Sequence, residues 1–75
     1  MAIKTLKDMR PGESAKIVEI NAQGALKRRL MDMGLTRGSL VTFRKVAPLG
    51  DPIELTIRGY ELSIRKNEAE YVVVE

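Results

Sequence analysis

The segment IELTIRGYELSIRK, residues 53–66, constrains the fold most, because apolar and polar residues alternate on both sides of a central glycine. Alternation with a period of two is typical of strands that bury one face. A two-residue turn at Gly59-Tyr60, with the glycine supplying the positive φ of the first position, predicts a β-hairpin. The register then sets apolar residues opposite each other on one face and polar residues on the other. The predicted pairs are Ile57 with Leu62, Leu55 with Ile64, Arg58 with Glu61, Thr56 with Ser63, and Glu54 with Arg65.

Three further segments have the short, β-branched character of strands: residues 14–20 (SAKIVEI), residues 39–47 and the final YVVVE. The alternation in residues 14–20 is imperfect, which predicts a bulge or burial on both faces. Before them, AIKTLKDMRPGES suits a single helical turn that ends at Pro11-Gly12.

One helix is predicted in NAQGALKRRLMDMG, residues 21–34. Asn21 is the predicted N-cap and Gly34 the predicted C′ residue. Leu26, Leu30 and Met33 follow the i, i+4, i+7 spacing of one buried stripe.

Five short strands in 75 residues favour a small closed or nearly closed barrel, because closure hides strand edges. We therefore expect a mainly β fold in one domain, residues 1–75, with about five strands and one short α-helix between the first and second. No segment approaches the roughly 18 apolar residues of a membrane span, and Met1 is not followed by a charged-then-apolar leader. These features predict a cytoplasmic protein without membrane insertion.

The run LMDMG raises the question of a metal site, since Met31 and Met33 flank Asp32. At about 100° per residue the two methionines point about 160° apart, so they cannot chelate one ion. Thioethers also suit soft ions such as Cu(I) rather than hard ones. Met33 is expected in the core, whereas Met31 is expected on the outer side of the helix beside Lys27 and Arg28. There it either contacts a partner or is covered by another segment of the chain.

The chain has no cysteine and no histidine, which removes thiolate chemistry and the commonest general base and transition-metal ligand. Its carboxylates form no recognisable acid–base pair, and no base stands ready to activate a serine. We predict that the protein is not an enzyme and has no cofactor. Asp51 is expected to bond backbone N–H groups of its own loop. Arg28 and Asp32, at i and i+4, are expected to form a surface pair.

The net charge of +3 permits weak attraction to nucleic acid. A nucleic-acid-binding barrel normally adds aromatic residues that stack on bases, but Phe43 is expected in the core and Tyr60 in a turn. Solvated or partner-facing charge is therefore favoured over a nucleic-acid surface. The basic residues concerned are Lys27, Arg28, Arg29, Arg37, Arg44, Lys45, Arg65 and Lys66.

The combination of RRLMDMGLTRGS (28–39), VAPLGDPIEL (46–55) and RGYELSIRK (58–66) resembles the FeoA family, small bacterial proteins of ferrous iron uptake. The likeness extends to the opening DMRPGESAKI and the closing EAEYVVV. The domain also resembles the C-terminal module of repressors related to the diphtheria toxin repressor. The resemblance implies an SH3-like barrel in the cytoplasm, recruited to the membrane by its partner, a GTPase permease of the FeoB type, which it assists as an accessory adaptor.

Leu49 lies between two prolines at a loop tip, so it is expected to be exposed and available to a partner. The predicted partner-binding surface combines the outer side of the helix with this loop; its residues are Lys27, Arg28, Met31, Leu49, Gly50, Asp51 and Pro52. Self-association is a further expectation, because cores this small give only a few kcal/mol. A nucleic-acid-binding barrel and a stand-alone metal-linked regulatory domain are the alternatives.

Overall fold

The computed structural model describes residues 4–75 and is mainly β, as predicted. Six strands form a sheet in the order β1-β6-β2-β3-β4-β5. All five predicted strand segments form; the additional strand, β1, has only two residues, too few to show any periodicity. The strands are β1 (Lys4–Thr5), β2 (Ser14–Ile20), β3 (Leu40–Val46), β4 (Ile53–Ile57), β5 (Tyr60–Ile64) and β6 (Val72–Val74). The helices are α1 (Gly24–Asp32) and α2 (Lys66–Ala69), and a 3-10 turn spans Leu6–Asp8.

Strand β2 joins the two halves of the sheet. Its first residues, 14–16, pair with β3, and residues 17–20 pair with β6. The register shifts between Ile17 and Glu19, which places a bulge at Val18. The bulge explains the imperfect alternation of this segment, and it bends the strand so that the sheet can curl.

The sheet curls around one hydrophobic core, because inward residues of β2 to β6 form a single cluster. The 3-10 turn contributes Leu6, and α1 contributes Leu30, both completely buried. Leu26 and Met33 pack against the cluster while half-buried, so the predicted helical stripe is confirmed. The largest side chains with almost no exposure are Leu6, Ile17, Leu30, Leu35, Leu55, Ile64, Val41 and Val72.

The hairpin forms, but its predicted register is wrong by two residues. The turn is Arg58-Gly59, with φ of 51° and 81°, the two positive values of a type I′ turn. Consequently Ile57 pairs with Tyr60 and Leu55 with Leu62, and Tyr60 begins a strand instead of lying in the turn. A shift of two residues keeps every side chain on its original face, so the apolar pattern is equally good in both registers.

The charge pairs expected along the hairpin also change. Glu61 forms an ion pair with Arg44 of β3 rather than with Arg58. Glu54 lies 3.9 Å from Lys45, and Arg65 lies 3.9 Å from Asp51. The polar face is thus paired mainly with β3 and with the β3–β4 loop.

Helix α1 begins later than predicted and ends where predicted. Its N-cap is Gln23, not Asn21, because the Asn21 N–H donates to the Tyr71 carbonyl at 2.6 Å and so extends the β2–β6 ladder. At the other end Gly34 has φ of 101°. Its N–H donates to Met31 and the Leu35 N–H donates to Leu30, which is the Schellman arrangement expected of a C′ glycine.

Candidate interaction surface

The outer side of α1 carries the three helix residues that the sequence singles out. Lys27, Arg28 and Met31 line one shallow cavity of about 420 Å³, together with Gly24 and Asp32. Met31 is 44% exposed, so the described segments cover it only in part. The structure therefore leaves this methionine available to a partner.

A second cavity of about 400 Å³ lies between α1 and β2. Lys27 and Met31 form its helix side. The opposite side consists of Val18, Glu19, Ile20 and Arg37, none of which the sequence assigned to a site. Periodicity could not identify them, because the bulge at Val18 and the loop position of Arg37 both lie outside regular repeats.

The β3–β4 loop presents the other four predicted residues. Leu49 is 96% exposed at its tip. Gly50 closes a turn by donating its N–H to Ala47 at 2.8 Å, and the Ala47 N–H donates to the Pro52 carbonyl at 3.0 Å. The exposure expected for Leu49 is thus confirmed.

Asp51 plays a different structural part from the one expected. Its Oδ1 accepts the backbone N–H of Lys66 at 2.8 Å, fifteen positions along the chain, rather than an N–H of its own loop. Lys66 is the first residue of α2, so the carboxylate satisfies one of the N–H groups left unpaired at a helix start. Asp51 therefore attaches the loop to α2.

Pro52, at the end of the Leu49 loop, lies on the flank of α1 opposite Met31. Pro52 shares a cavity of about 230 Å³ with Arg29 and with residues of β5 and α2. On a helix, Arg29 points about 160° away from Met31. Met31 lines the cavities of about 420 and 400 Å³ and Pro52 lines the cavity of about 230 Å³, so none of these three contains both Met31 and a residue of the Leu49 loop.

Ion pairs account for several of the basic residues. Arg29 lies 2.9 Å from Glu68, while Arg44, Lys45 and Arg65 have the partners described above. Within the part of the chain that the structure describes, Arg28 makes no ion pair with Asp32, contrary to expectation, and Lys27 and Arg37 make none either. Three cations without an ion pair, Lys27, Arg28 and Arg37, therefore lie around Met31, although Glu19 and Asp32 share the same cavities. Among the described residues, Arg10, Lys16, Arg58 and Lys66 also have no ion pair, and they lie elsewhere.

Met33 is half-buried against the core, whereas Met31 faces outward, so the two thioethers diverge as the helical geometry predicts. Residues 4–75 also contain no group of three or more histidine, cysteine, aspartate or glutamate side chains placed to hold a metal ion. Among the described helices, none has the length and apolar character needed to cross a membrane.

A family model, the FeoA domain, matches residues 4–75. The chain belongs to the FeoA family. A curated relative from Porphyromonas gingivalis, the Fe(2+) transport protein A/Fe(2+) transporter FeoB fusion protein, is 33% identical over 70 residues. Those residues are 93% of this chain but only 8% of that protein.

Solved structures of FeoA proteins share the fold. The FeoA-like protein from Clostridium acetobutylicum is 37% identical with a TM-score of 0.91, covering 100% of this chain and 87% of its own. Stenotrophomonas maltophilia FeoA complexed with zinc, described as an SH3 domain protein, is 28% identical with a TM-score of 0.77, covering 96% and 89%. The predicted SH3-like architecture is thereby confirmed.

The predicted likeness to the C-terminal module of repressors related to the diphtheria toxin repressor is also confirmed, at the level of the fold. A manganese-dependent transcriptional repressor is 16% identical with a TM-score of 0.85, covering 96% of this chain and 40% of its own. The IdeR structure from T. acidophilum is 20% identical with a TM-score of 0.84, covering 99% of this chain and 34% of its own.

Proposed function

We propose that this FeoA domain is an accessory adaptor of ferrous iron uptake that binds the cytoplasmic side of a FeoB-type GTPase permease and modulates its transport or nucleotide cycle. The observation that carries the proposal is the fusion relative, in which a matching domain and the Fe(2+) transporter FeoB form one polypeptide. Covalent linkage raises the effective concentration of two domains for each other, so it favours a pair that works in contact.

The outer side of α1 is the first part of the proposed contact surface. Met31 is 44% exposed and flexible enough to adapt to another surface. Lys27 and Arg28 stand beside it and can pair with carboxylates of the permease. Exposed charges of this kind mainly accelerate and orient association.

The Leu49 loop is the second part. Leu49 offers an apolar side chain at its tip, and the surrounding Gly50, Asp51 and Pro52 hold the loop through a turn and the bond to α2. Because Pro52, at the end of this loop, lies on the other flank of α1 from Met31, the permease must either reach around the helix or use one part alone.

The experiment is a titration of isotope-labelled protein with the cytosolic GTPase portion of its cognate permease, followed by amide NMR. We expect saturable shifts at α1, at the Leu49 loop, or at both. Met31→Glu should weaken binding about tenfold or more, equivalent to about 1.4 kcal/mol. Tyr60→Ser, which removes a side chain of 74% exposure outside the proposed surface, is the matched control. If the Met31 variant bound the permease fully and the Tyr60 variant did not, the contact would lie at β5 instead of α1. If the unmodified chain showed no shift at all, the adaptor function itself would be contradicted.

The zinc complex of the Stenotrophomonas relative favours a second candidate, a metal-linked regulatory role. A separate titration with ferrous iron tests it. Saturable iron-dependent shifts, or an increase in melting temperature with iron, would support regulation by metal over a purely protein-binding adaptor.

A further inference from the structure

We propose that the outer edge of β5 pairs antiparallel with β5 of a second copy of this chain, giving a weak and reversible dimer. This inference is independent of permease binding. The two edges of the sheet are β1 and β5, and they differ in their protection. Strand β1 has two residues and carries Lys4, and short, lysine-bearing edges resist pairing. Strand β5 has five residues, YELSI, with a single charge.

The hairpin register shows which backbone groups of β5 face outward. In a two-residue hairpin the residues flanking the turn, here Ile57 and Tyr60, exchange hydrogen bonds. Hydrogen-bonded and non-hydrogen-bonded pairs alternate along the ladder, so Tyr60, Leu62 and Ile64 direct their N–H and C=O groups toward β4. Glu61 and Ser63 direct theirs away from β4. Across residues 4–75, no other backbone or side-chain group bonds to the N–H of either residue.

This edge is complementary to itself. A two-fold axis beside Leu62 places Glu61 opposite Ser63 of the partner subunit, and the reciprocal pair follows by symmetry. Both pairs then exchange backbone hydrogen bonds. Within the five-residue edge no like charges meet, because each Glu61 carboxylate faces a hydroxyl and remains paired with Arg44 of its own subunit. At each end of the pairing, however, Arg58 approaches Arg65 and Lys66 of the partner subunit, which weakens the dimer.

The proposed pairing would also give the exposed side chain of Tyr60 a contact. Along β5, burial falls on the inner face from Ile64 (1% exposed) through half-buried Leu62 to Tyr60 (74% exposed). Antiparallel pairing puts Tyr60 opposite Ile64 of the partner subunit, where burial is deepest. The cavity of about 230 Å³ lined by Ser63, Ile64, Arg29 and Arg65 adjoins this position. Pro52 and Glu68 complete the lining of this cavity. Its two guanidinium groups, each ion-paired within its own subunit, can stack on an aromatic ring.

The dimer should be weak because the edge is short. Stable interfaces bury more than about 1,000 Å² in total, which a five-residue edge does not reach by strand pairing alone. Each subunit also carries a net charge of +3, so the two copies repel each other at low ionic strength. Association should therefore require high protein concentration and should strengthen with added salt.

Sedimentation equilibrium over increasing protein concentration tests the proposal. We expect a monomer–dimer equilibrium whose dissociation constant rises at least tenfold in Tyr60→Ser and in Ser63→Pro. Proline at position 63 removes an outward N–H without breaking the bonds to β4, a placement that edge strands tolerate. Leu40→Ser, which changes an exposed leucine of β3 outside the proposed interface, is the control. A constant monomer mass up to about 1 mM, or weakening by the Leu40 change instead, would overturn the proposal.

Cross-linking tests the register without relying on affinity. The chain has no cysteine, so one introduced cysteine can form only an intermolecular disulfide. Leu62→Cys would place two cysteines directly opposite each other, about 4.5 Å apart at Cα, within disulfide range. Ser63→Cys would separate them by about 8 Å, beyond that range. Preferential oxidation of the Leu62 variant to a dimer is the expected result; equal or greater cross-linking at position 63 would contradict this pairing.

Discussion

Glu68 joins the two helices, with its Oε2 2.9 Å from Nη1 of Arg29. Its other oxygen, Oε1, accepts the backbone N–H of Arg65 at 3.1 Å, at the start of α2. The side chain of Glu68 is only 9% exposed, whereas that of Arg29 is 64% exposed. The carboxylate therefore depends on these partners more than the guanidinium does.

We predict that Glu68→Ala lowers the free energy of unfolding by about 1–3 kcal/mol, because it leaves the N–H of Arg65 without its acceptor. Arg29→Ala should lower the free energy of unfolding by less, since the guanidinium group of Arg29 is mostly exposed to solvent. Urea denaturation measures both. Glu70→Ala is the control, since the Lys7–Glu70 pair is about half exposed and should contribute less than about 1 kcal/mol. A larger effect at Glu70 would mean that α2 is stabilised mainly through the 3-10 turn.

Asp51 and Leu49 lie in one loop, but only Asp51 should contribute to the stability of the fold. Asp51→Ala removes the acceptor for the Lys66 N–H and should cost about 0.5–2 kcal/mol, as loss of a helix cap does. Asp51→Asn should retain most of this stability, because the amide oxygen still accepts. Leu49→Ser should leave the melting temperature nearly unchanged, because the side chain has no packing to lose. Calorimetric scans of the three variants would contradict this account if Leu49→Ser proved the most destabilising.

Arg58 is the sole residue other than glycine with a positive φ among those the structure describes. Arg58→Asn should be tolerated by the turn, since asparagine adopts this conformation readily. Arg58→Val should be about 1–2 kcal/mol less stable than the asparagine variant, because a β-branched side chain clashes with the backbone there. Both lose the bond from the guanidinium to Ser39 Oγ, 3.1 Å away, so that loss cancels in the comparison. Equal stability of the two variants would show that the turn stores no such strain.

Glu13 gives a pH dependence with a definite sign. The backbone N–H of Arg10, 2.7 Å from its carboxylate, and the charge of Lys4 lower the pKa of Glu13 below its ordinary value of 4.5. A lowered folded-state pKa contributes stability that is fully present above the unfolded pKa and disappears as pH falls through the folded pKa. The stability difference between the unmodified chain and Glu13→Gln should therefore be constant above about pH 5 and shrink toward lower pH. Urea titrations from acid to neutral pH measure it, and a difference that grows on acidification would contradict the assignment.

The sequence predicted the strands and the main helix because their periodicity reflects which side is buried. It could not choose the hairpin register, because Gly59 suits either turn position and the two registers place the same residues on the same face. Helix α2 was missed because KNEA is too short to show helical spacing. The partner of Asp51 was missed for a different reason: the Lys66 N–H comes near only after β4 and β5 have folded back. The exposure of Met31 and Leu49 could be predicted from the sequence, because it depends on local features: the helical geometry for Met31 and the proline-flanked loop for Leu49.

Strand β6 lies between β1 and β2, and Val74 sits opposite Lys4 in the β1–β6 ladder. The two ends of the described chain therefore run side by side, although 69 residues come between them. A domain whose two ends lie together can be inserted into a longer polypeptide without disrupting the pairing of its strands. The same adjacency should allow a circular permutant, with the old ends joined by a short glycine–serine linker and new ends opened at Gly50, to recover the same barrel.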